Sequence, residues 1–98
     1  MDIIKTKNGT ALSLALVGRL DTTTAPQLEA ELNATLDGVT ELVLDFAKLD
    51  YISSAGLRVL LAAQKRMNKQ GSMVIRNTND DIKEVFEITG FCDILTLE

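Results

Sequence analysis

The sequence predicts a single α/β domain over residues 1–98, with a mixed sheet of four to five strands, a hairpin at its start and interspersed helices. After the first two strand patterns, helix and strand patterns alternate, which favours parallel strands joined by right-handed crossovers. Ile3–Lys7 and Thr10–Val17 are separated only by Asn8-Gly9, a pair typical of a two-residue hairpin turn. An apolar content of 46% over 98 residues is enough for one hydrophobic core but not for two.

The second strand, the first helix and the third strand follow from the spacing of apolar residues. Both faces of the second strand are apolar, so we expect it at or near the centre of the sheet. Thr24 is the predicted N-cap of the first helix, because Gln27 follows three residues later and Pro26 lies in the first turn. Gly38 is predicted to end this helix, because glycine is common just past the last helical residue. Val39–Asp45 is then a nearly continuous apolar run, which indicates a buried parallel strand.

The second half of the chain continues the alternation. A helix is predicted over about Ser54–Gln70, with leucines on one face and basic side chains on the other. Ser72–Arg76 predicts a short strand. Asn79 supplies the cap of a last helix, which Thr89-Gly90 ends. Asp93–Leu97 then has the length and composition to add a fifth strand.

The composition excludes several classes of function. The net charge is −4 and no basic cluster is longer than Lys65-Arg66, which argues against nucleic-acid binding through a broad basic surface. The chain contains no histidine, so a histidine general base and a metal site rich in His or Cys are excluded, and no cofactor is expected. Cys92 is the single cysteine and cannot form an internal disulfide. We interpret it as a small apolar residue packed near the C-terminus.

No segment of the sequence predicts insertion into a membrane. The N-terminus lacks a basic stretch followed by a long apolar one, so no signal peptide is expected. The longest apolar runs are far shorter than the roughly 20 residues that span a bilayer. We therefore expect a soluble protein that meets a membrane only through a partner.

The most informative segment is Tyr51–Val59, where two serines and a glycine open the second helix after an apolar strand and an acidic loop. A hydroxyl there lies where free backbone N–H groups and the positive end of the helix dipole favour an added phosphate. The residues alone leave two interpretations open, a helix cap worth about 1 kcal/mol and a phosphorylation site. Of the two, the cap is the more common role for serine at such a position.

The serine segment does not fit enzymatic chemistry. A nucleophile elbow requires glycine on both sides of the serine and a histidine base, whereas Ile52 occupies the first glycine position and histidine is absent. Neither a GxxxxGK loop nor a GxGxxG loop occurs, so nothing indicates bound nucleotide phosphates. Asp21, Asp45 and Asp50 lie at different strand ends without metal-ligand spacing, and we interpret them as caps and solvated loop residues. We therefore do not expect an enzyme.

Three segments of the sequence form a recognisable combination. They are Gly18-Arg19-Leu20-Asp21, Leu42-Val43-Leu44-Asp45 and Tyr51-Ile52-Ser53-Ser54-Ala55-Gly56-Leu57. Together they resemble the STAS domain, and within it the bacterial anti-sigma factor antagonists, over essentially the whole chain. The resemblance implies a cytoplasmic protein that binds an anti-sigma factor with serine kinase activity and so frees a sigma factor. We expect a monomer or a weak dimer, since an exposed sheet edge allows dimerisation. In such systems the kinase phosphorylates one serine of the antagonist and breaks the complex, and a serine phosphatase restores it.

The resemblance also implies which residues act. The phosphoacceptor of such antagonists falls on Ser54, two residues before Gly56. Many members carry Asp just before the acceptor, whereas this chain has Ser53, which we expect to cap the helix or to serve as a second acceptor. The implied partner-binding residues are Asp21, Thr22, Thr23, Ser53, Ala55, Gly56 and Arg58. The alternative function is a constitutive STAS interaction module, such as a lipid-transport complex subunit or a signalling scaffold, whose serine stays unmodified.

Overall fold

In the computed structural model, which describes all of residues 1–98, four strands and three helices alternate along the chain after an initial hairpin. The elements are β1 (Asp2–Asn8), β2 (Ala11–Leu20), α1 (Ala25–Thr35), β3 (Glu41–Ile52), α2 (Ser54–Gln70), β4 (Ser72–Arg76) and α3 (Asp80–Thr89), followed by a 3-10 turn at Phe91–Asp93. The sheet order is β1-β2-β3-β4, in which β1 and β2 are antiparallel and the other neighbours are parallel. The predicted mixed α/β sheet with a starting hairpin is confirmed, with four strands.

The helices cover one face of the sheet. On that face Leu12, Leu14, Leu16 and Leu20 of β2 are buried. These side chains belong to a single core of 24 buried apolar residues, to which all three helices contribute. The intervening residues on the other face, such as Ala15 and Val43, are only partly buried. β2 lies between β1 and β3, as the apolar residues on both of its faces predicted.

The hairpin turn lies one residue later than predicted. Asn8 pairs with Ala11, so the turn consists of Gly9-Thr10 rather than Asn8-Gly9. Within it Gly9 has a φ of 64°, and no other turn residue has a positive φ. This matches a turn with glycine at its first central position, not one that needs positive φ at both. The observed register keeps the leucines of β2 on the buried face, and a shift by one residue would turn them to solvent.

The third strand is longer than the sequence predicted. β3 extends to Ile52, whereas the apolar run ended at Asp45 and an acidic loop was expected after it. The register with β2 shifts between Ala15 and Val17 and again between Gly18 and Arg19. At both places β3 contains an extra residue, as in a β-bulge. Because the extra residues are accommodated as bulges, the exposed polar residues after Asp45 remain part of β3, and β3 continues to pair with β2.

The first helix begins where predicted, but its capping interactions differ. Thr24 precedes α1, yet its hydroxyl donates to the Arg19 carbonyl oxygen (2.8 Å) and does not cap the helix. The Gln27 side chain donates to the Met1 carbonyl oxygen (2.9 Å), so the predicted capping pair does not form. The first N–H of the helix, that of Ala25, donates to the Asp21 carbonyl oxygen instead (2.8 Å), and the Asp21 carbonyl and carboxylate oxygens both accept from the Thr24 N–H at 3.2 Å.

Other helix ends agree with the sequence. α1 stops at Thr35, and Gly38 follows with a left-handed φ of 78°. Asn79 caps α3 by accepting from the Ile82 N–H at 2.8 Å. Gly90, with a φ of 79°, ends α3 as predicted.

The predicted fifth strand is wrong. Residues 93–97 begin in the 3-10 turn and form only an isolated bridge between Leu97 and Ile75 of β4. Leu95 is buried and Leu97 packs against the core, so this segment is held by two apolar side chains and one bridge rather than by a ladder. Cys92 is exposed, which contradicts the prediction that it packs in the interior. The 3-10 turn directs its side chain outward instead.

Candidate functional site

The ends of β2 and β3 bring two of the sequence motifs side by side. In the parallel register Arg19 lies opposite Tyr51, and Leu20 lies opposite Ile52. The Ser53 N–H then donates to the Leu20 carbonyl oxygen (2.9 Å). The Gly-Arg-Leu-Asp segment and the serine segment, distant in sequence, therefore form one surface at the carboxyl edge of the parallel strands.

The two adjacent serines have different environments. Ser53 is the N-cap of α2, with an extended backbone (φ −101°, ψ 174°) and a hydroxyl that accepts from the Gly56 N–H at 3.4 Å. Its carbonyl accepts the first helical bond from the Leu57 N–H (3.0 Å). Ser54 is the first residue of α2 and is exposed, and its side chain forms no hydrogen bond within the protein. One hydroxyl thus caps the helix while the other is open to solvent.

Gly56 is buried and contributes to the site by allowing close packing. A β-carbon at this position would lie 2.7 Å from Leu20 Cγ and 2.9 Å from Ile52 Cγ1, closer than real contacts of this kind. Glycine therefore lets the first turn of α2 approach the ends of β2 and β3. This approach sets the height of Ser54 and Ala55 above the edge of the sheet.

The loop between β2 and α1 is organised by Asp21. Its Oδ1 accepts from the Thr23 N–H (3.0 Å) and from the Thr23 hydroxyl (2.7 Å). These bonds, the Thr23 hydroxyl foremost, hold the pKa of Asp21 below its ordinary range. Thr22 and Thr23 are exposed at the loop surface. Of the predicted partner-binding residues, Asp21 shapes the loop, and Thr22 and Thr23 are presented by it.

Acidification is expected to weaken the folded state in part through Asp21. Because its folded pKa is depressed, Asp21 contributes stability that is fully present above its unfolded pKa and is lost as the pH falls through the folded pKa, below about 4. The Asp21→Asn variant keeps the carbonyl acceptor but not the charge, so its urea midpoint should fall less than that of the wild type between pH 6 and pH 3. Thr23→Ala removes the principal donor and should give an intermediate slope. Identical slopes for wild type and Asp21→Asn would contradict this role.

Arg19 and Tyr51 form a pair that the sequence did not single out. The Arg19 guanidinium lies 4.3 Å from the centroid of the Tyr51 ring, and its Nε is 3.7 Å from Asp21 Oδ2. Both side chains are exposed, so the stacked pair stands at the rim of the site. Both residues belong to the motifs quoted from the sequence, but only the strand register places them opposite each other.

Thr22, Ala55 and Arg58 line a shallow groove between the starts of α1 and α2. The groove opens next to Ser54, because Ala55 is the following residue of the same helix turn. Arg58 is exposed and takes part in no ion pair. Three predicted partner-binding residues are therefore brought together on one accessible surface.

The other candidate carboxylates do not join this surface as a cluster. Asp45 Oδ1 accepts from the Asn77 amide (3.0 Å) and from the Ala47 N–H (2.9 Å), and these bonds lower its pKa. Asp50 is exposed on β3. No group of three or more His, Cys, Asp or Glu side chains is arranged to hold a metal ion. No helix has the length and apolar character needed to cross a membrane.

Comparison with known proteins identifies the family. The model of the STAS domain matches residues 2–98. The chain belongs to the STAS family. Among its STAS relatives is BtrV of Bordetella bronchiseptica, named as a candidate anti-sigma factor antagonist, which is 47% identical over 85 residues, or 85% of this chain and 73% of BtrV. The anti-sigma-B factor antagonist of Bacillus subtilis is 28% identical over 98 residues, covering 99% of this chain and 88% of the relative.

Solved structures share the STAS fold. The anti-sigma factor antagonist SpoIIAA in its unphosphorylated form has a TM-score of 0.78 at 17% identity, with 99% of this chain and 87% of that chain covered. The phosphorylated form of SpoIIAA, a Bacillus cell fate determinant, has a TM-score of 0.77 at 18% identity, with 99% and 91% covered. At these identities the likeness concerns the fold.

Proposed function

We propose that this STAS domain is a cytoplasmic anti-sigma factor antagonist that binds an anti-sigma factor with serine kinase activity and is released by phosphorylation of Ser54. The proposal rests on the different roles of the two adjacent serines. Ser53 uses its hydroxyl to cap α2, whereas the Ser54 hydroxyl is exposed and free of hydrogen bonds. The names of BtrV and of the Bacillus subtilis relative support the antagonist role.

The fold is suited to tolerate a phosphate on Ser54. The first N–H groups of an α-helix have no partner within the helix, and the dipole places a partial positive charge at that end. Ser54 is the first residue of α2, so a phosphate on its hydroxyl would sit at this electropositive end. SpoIIAA, which shares this fold, has been solved with and without its phosphate.

The same phosphate on Ser54 should strongly weaken binding to a partner. Phosphorylation adds a charge of about −1.5 to −2 at neutral pH. Asp21 belongs to the loop beside the serine segment, and Asp50 is exposed near the end of β3. A partner surface fitted to the Ser54 hydroxyl beside the Asp21 loop would meet a bulky dianion instead. Steric overlap and an unpaired charge at the interface then both oppose the complex.

A phosphorylation assay with site mapping tests the proposal. The purified chain is incubated with ATP and the serine kinase encoded nearest to its gene, and the intact mass is measured. Wild type should gain one phosphoryl group and lose it again with the partner phosphatase. Ser54→Ala should gain none, and Ser53→Ala should still be modified although it loses a cap worth about 1 kcal/mol.

Two results would overturn the proposal. Full phosphorylation of Ser54→Ala would move the acceptor to Ser53. A wild-type chain that gains no phosphoryl group would instead favour a constitutive STAS interaction module, whose partner binds the same surface without a switch.

A further inference from the structure

The groove that begins beside Ser54 continues along the interface of α1 and α2. Its first part lies between the starts of the two helices, and its second part follows them toward their C-terminal ends. Glu29 and Val59 line both parts, so the two parts adjoin each other along this interface and are treated as one groove. Its apolar surface in the second part includes Leu32, Ala62 and Ala63. The surface next to the serine therefore extends well beyond the residues that the sequence indicated.

The two walls of the groove carry opposite charges. Glu29 stands on the α1 side and Arg58 on the α2 side, and neither takes part in an ion pair. At the other end Arg66 of α2 does reach across, with its Nη2 2.6 Å from Asp37 Oδ1. The groove is thus bridged by an ion pair at its far end and left open, with unpaired charges, at the serine end.

We infer that this groove receives an amphipathic helix of the anti-sigma factor, an inference that rests on the proposed function. The apolar side of that helix would lie over Val59 and Ala62. An acidic side chain of the partner would face Arg58, and a basic one would face Glu29. Ala55 lines the first part of the groove and directly follows Ser54, so a phosphate on Ser54 would stand close to this end of the bound helix.

The small extent of the groove argues against a second copy of the chain as its occupant, even if the groove is taken to be as wide as one helix. From Ala55 to Arg66 the groove follows α2 for about 16 Å, or three helical turns, and one helix is about 10 Å wide. A footprint of about 160 Å² is well short of the roughly 800 Å² per partner of a stable interface. The groove is therefore expected to extend the serine surface rather than to support a dimer by itself.

Two matched alanine substitutions test this inference. Ala62→Arg fills the groove without touching Ser54, and Ala30→Arg makes the same change on α1 outside the groove. Both alanines are exposed in helices, and arginine is a good helix former, so both variants should fold. Affinity for the purified serine kinase partner is measured by calorimetry. Ala62→Arg should weaken binding at least about tenfold, and Ala30→Arg should stay within about twofold of wild type.

Charge reversals on the two walls of the groove provide a second, independent test. Arg58→Glu and Glu29→Lys should each weaken binding, and the salt dependence of the affinity should decrease in both variants. Wild-type affinity in Ala62→Arg, together with lost binding in Ser54→Asp, would overturn the groove inference and leave the proposed function standing. A wild-type dimer in light scattering that Ala62→Arg converts to a monomer, with unchanged kinase affinity, would show that a second copy occupies the groove. If wild type does not bind the kinase, the proposed function fails, and this inference fails with it.

Discussion

Replacing Ser54 by aspartate is expected to weaken binding to the proposed serine kinase partner by about 100-fold while leaving the fold intact. Such a loss corresponds to about 2.7 kcal/mol, which one desolvated, unpaired negative charge is able to supply. The fold should survive because Ser54 is exposed, forms no hydrogen bond and opens α2, where a carboxylate interacts favourably with the helix dipole. Affinity by calorimetry and the melting temperature of the same samples check both halves of this expectation.

The matched control is the same change at the neighbouring serine. Ser53→Asp also adds one negative charge, but aspartate is a good N-cap, so it should keep the capping bond to Gly56. Because the cap and the start of α2 are then preserved, Ser53→Asp should bind close to wild type. Equal affinity of Ser54→Asp and wild type would refute a switch by charge. Equal loss in both variants would mean that any added charge on this edge breaks the complex.

Ser53 and Ser54 illustrate what the sequence could predict about the site and what it could not. The spacing of apolar residues and Gly56 predicted a helix that opens at the two serines, and α2 does begin at Ser54. Residue types alone could not show which serine caps α2 and which stays free, because either serine is chemically able to cap a helix. The backbone decides this point, since the extended conformation of Ser53 turns its hydroxyl toward the Gly56 N–H.

The errors in the predicted fold arise where tertiary contacts override local patterns. β3 continues past Asp45 because β2 pairs with it through two bulges, which periodicity cannot detect. The Thr24 hydroxyl does not cap α1 because it is engaged within the loop, where it accepts from the Asp21 N–H (2.8 Å) and donates to the Arg19 carbonyl oxygen (2.8 Å). The stacking of Arg19 on Tyr51 likewise depends on a register between distant segments. Elements with strong periodicity were predicted well, and contacts between elements were not.

The substitution expected to affect stability most is Gly71→Ala. Gly71 follows α2 with a φ of 172°, a value that does not by itself exclude alanine. A β-carbon there would overlap the Thr40 carbonyl oxygen and lie 2.6 Å from the carbonyl carbon. Those atoms belong to the backbone just before β3, and the Ser72 N–H donates to the same oxygen (2.9 Å). Neither side of the contact is therefore free to move away.

The surrounding contacts make relief of this overlap costly. The Gln70 amide donates to the carbonyl oxygens of Leu36 (2.7 Å) and Val39 (2.6 Å), which ties the end of α2 to the segment before β3. Moving Gly71 would break these bonds and shift β4, so Gly71→Ala should lower the free energy of unfolding by about 3 kcal/mol, measured by urea unfolding.

Gly90→Ala is the matched control, because Gly90 has open space where a β-carbon would be added and a φ of 79°. It should cost only the roughly 1–2 kcal/mol of a left-handed alanine. A urea midpoint of Gly71→Ala equal to or above that of Gly90→Ala would show that the chain absorbs the overlap, and that α2 and β3 are less firmly joined than their hydrogen bonds indicate.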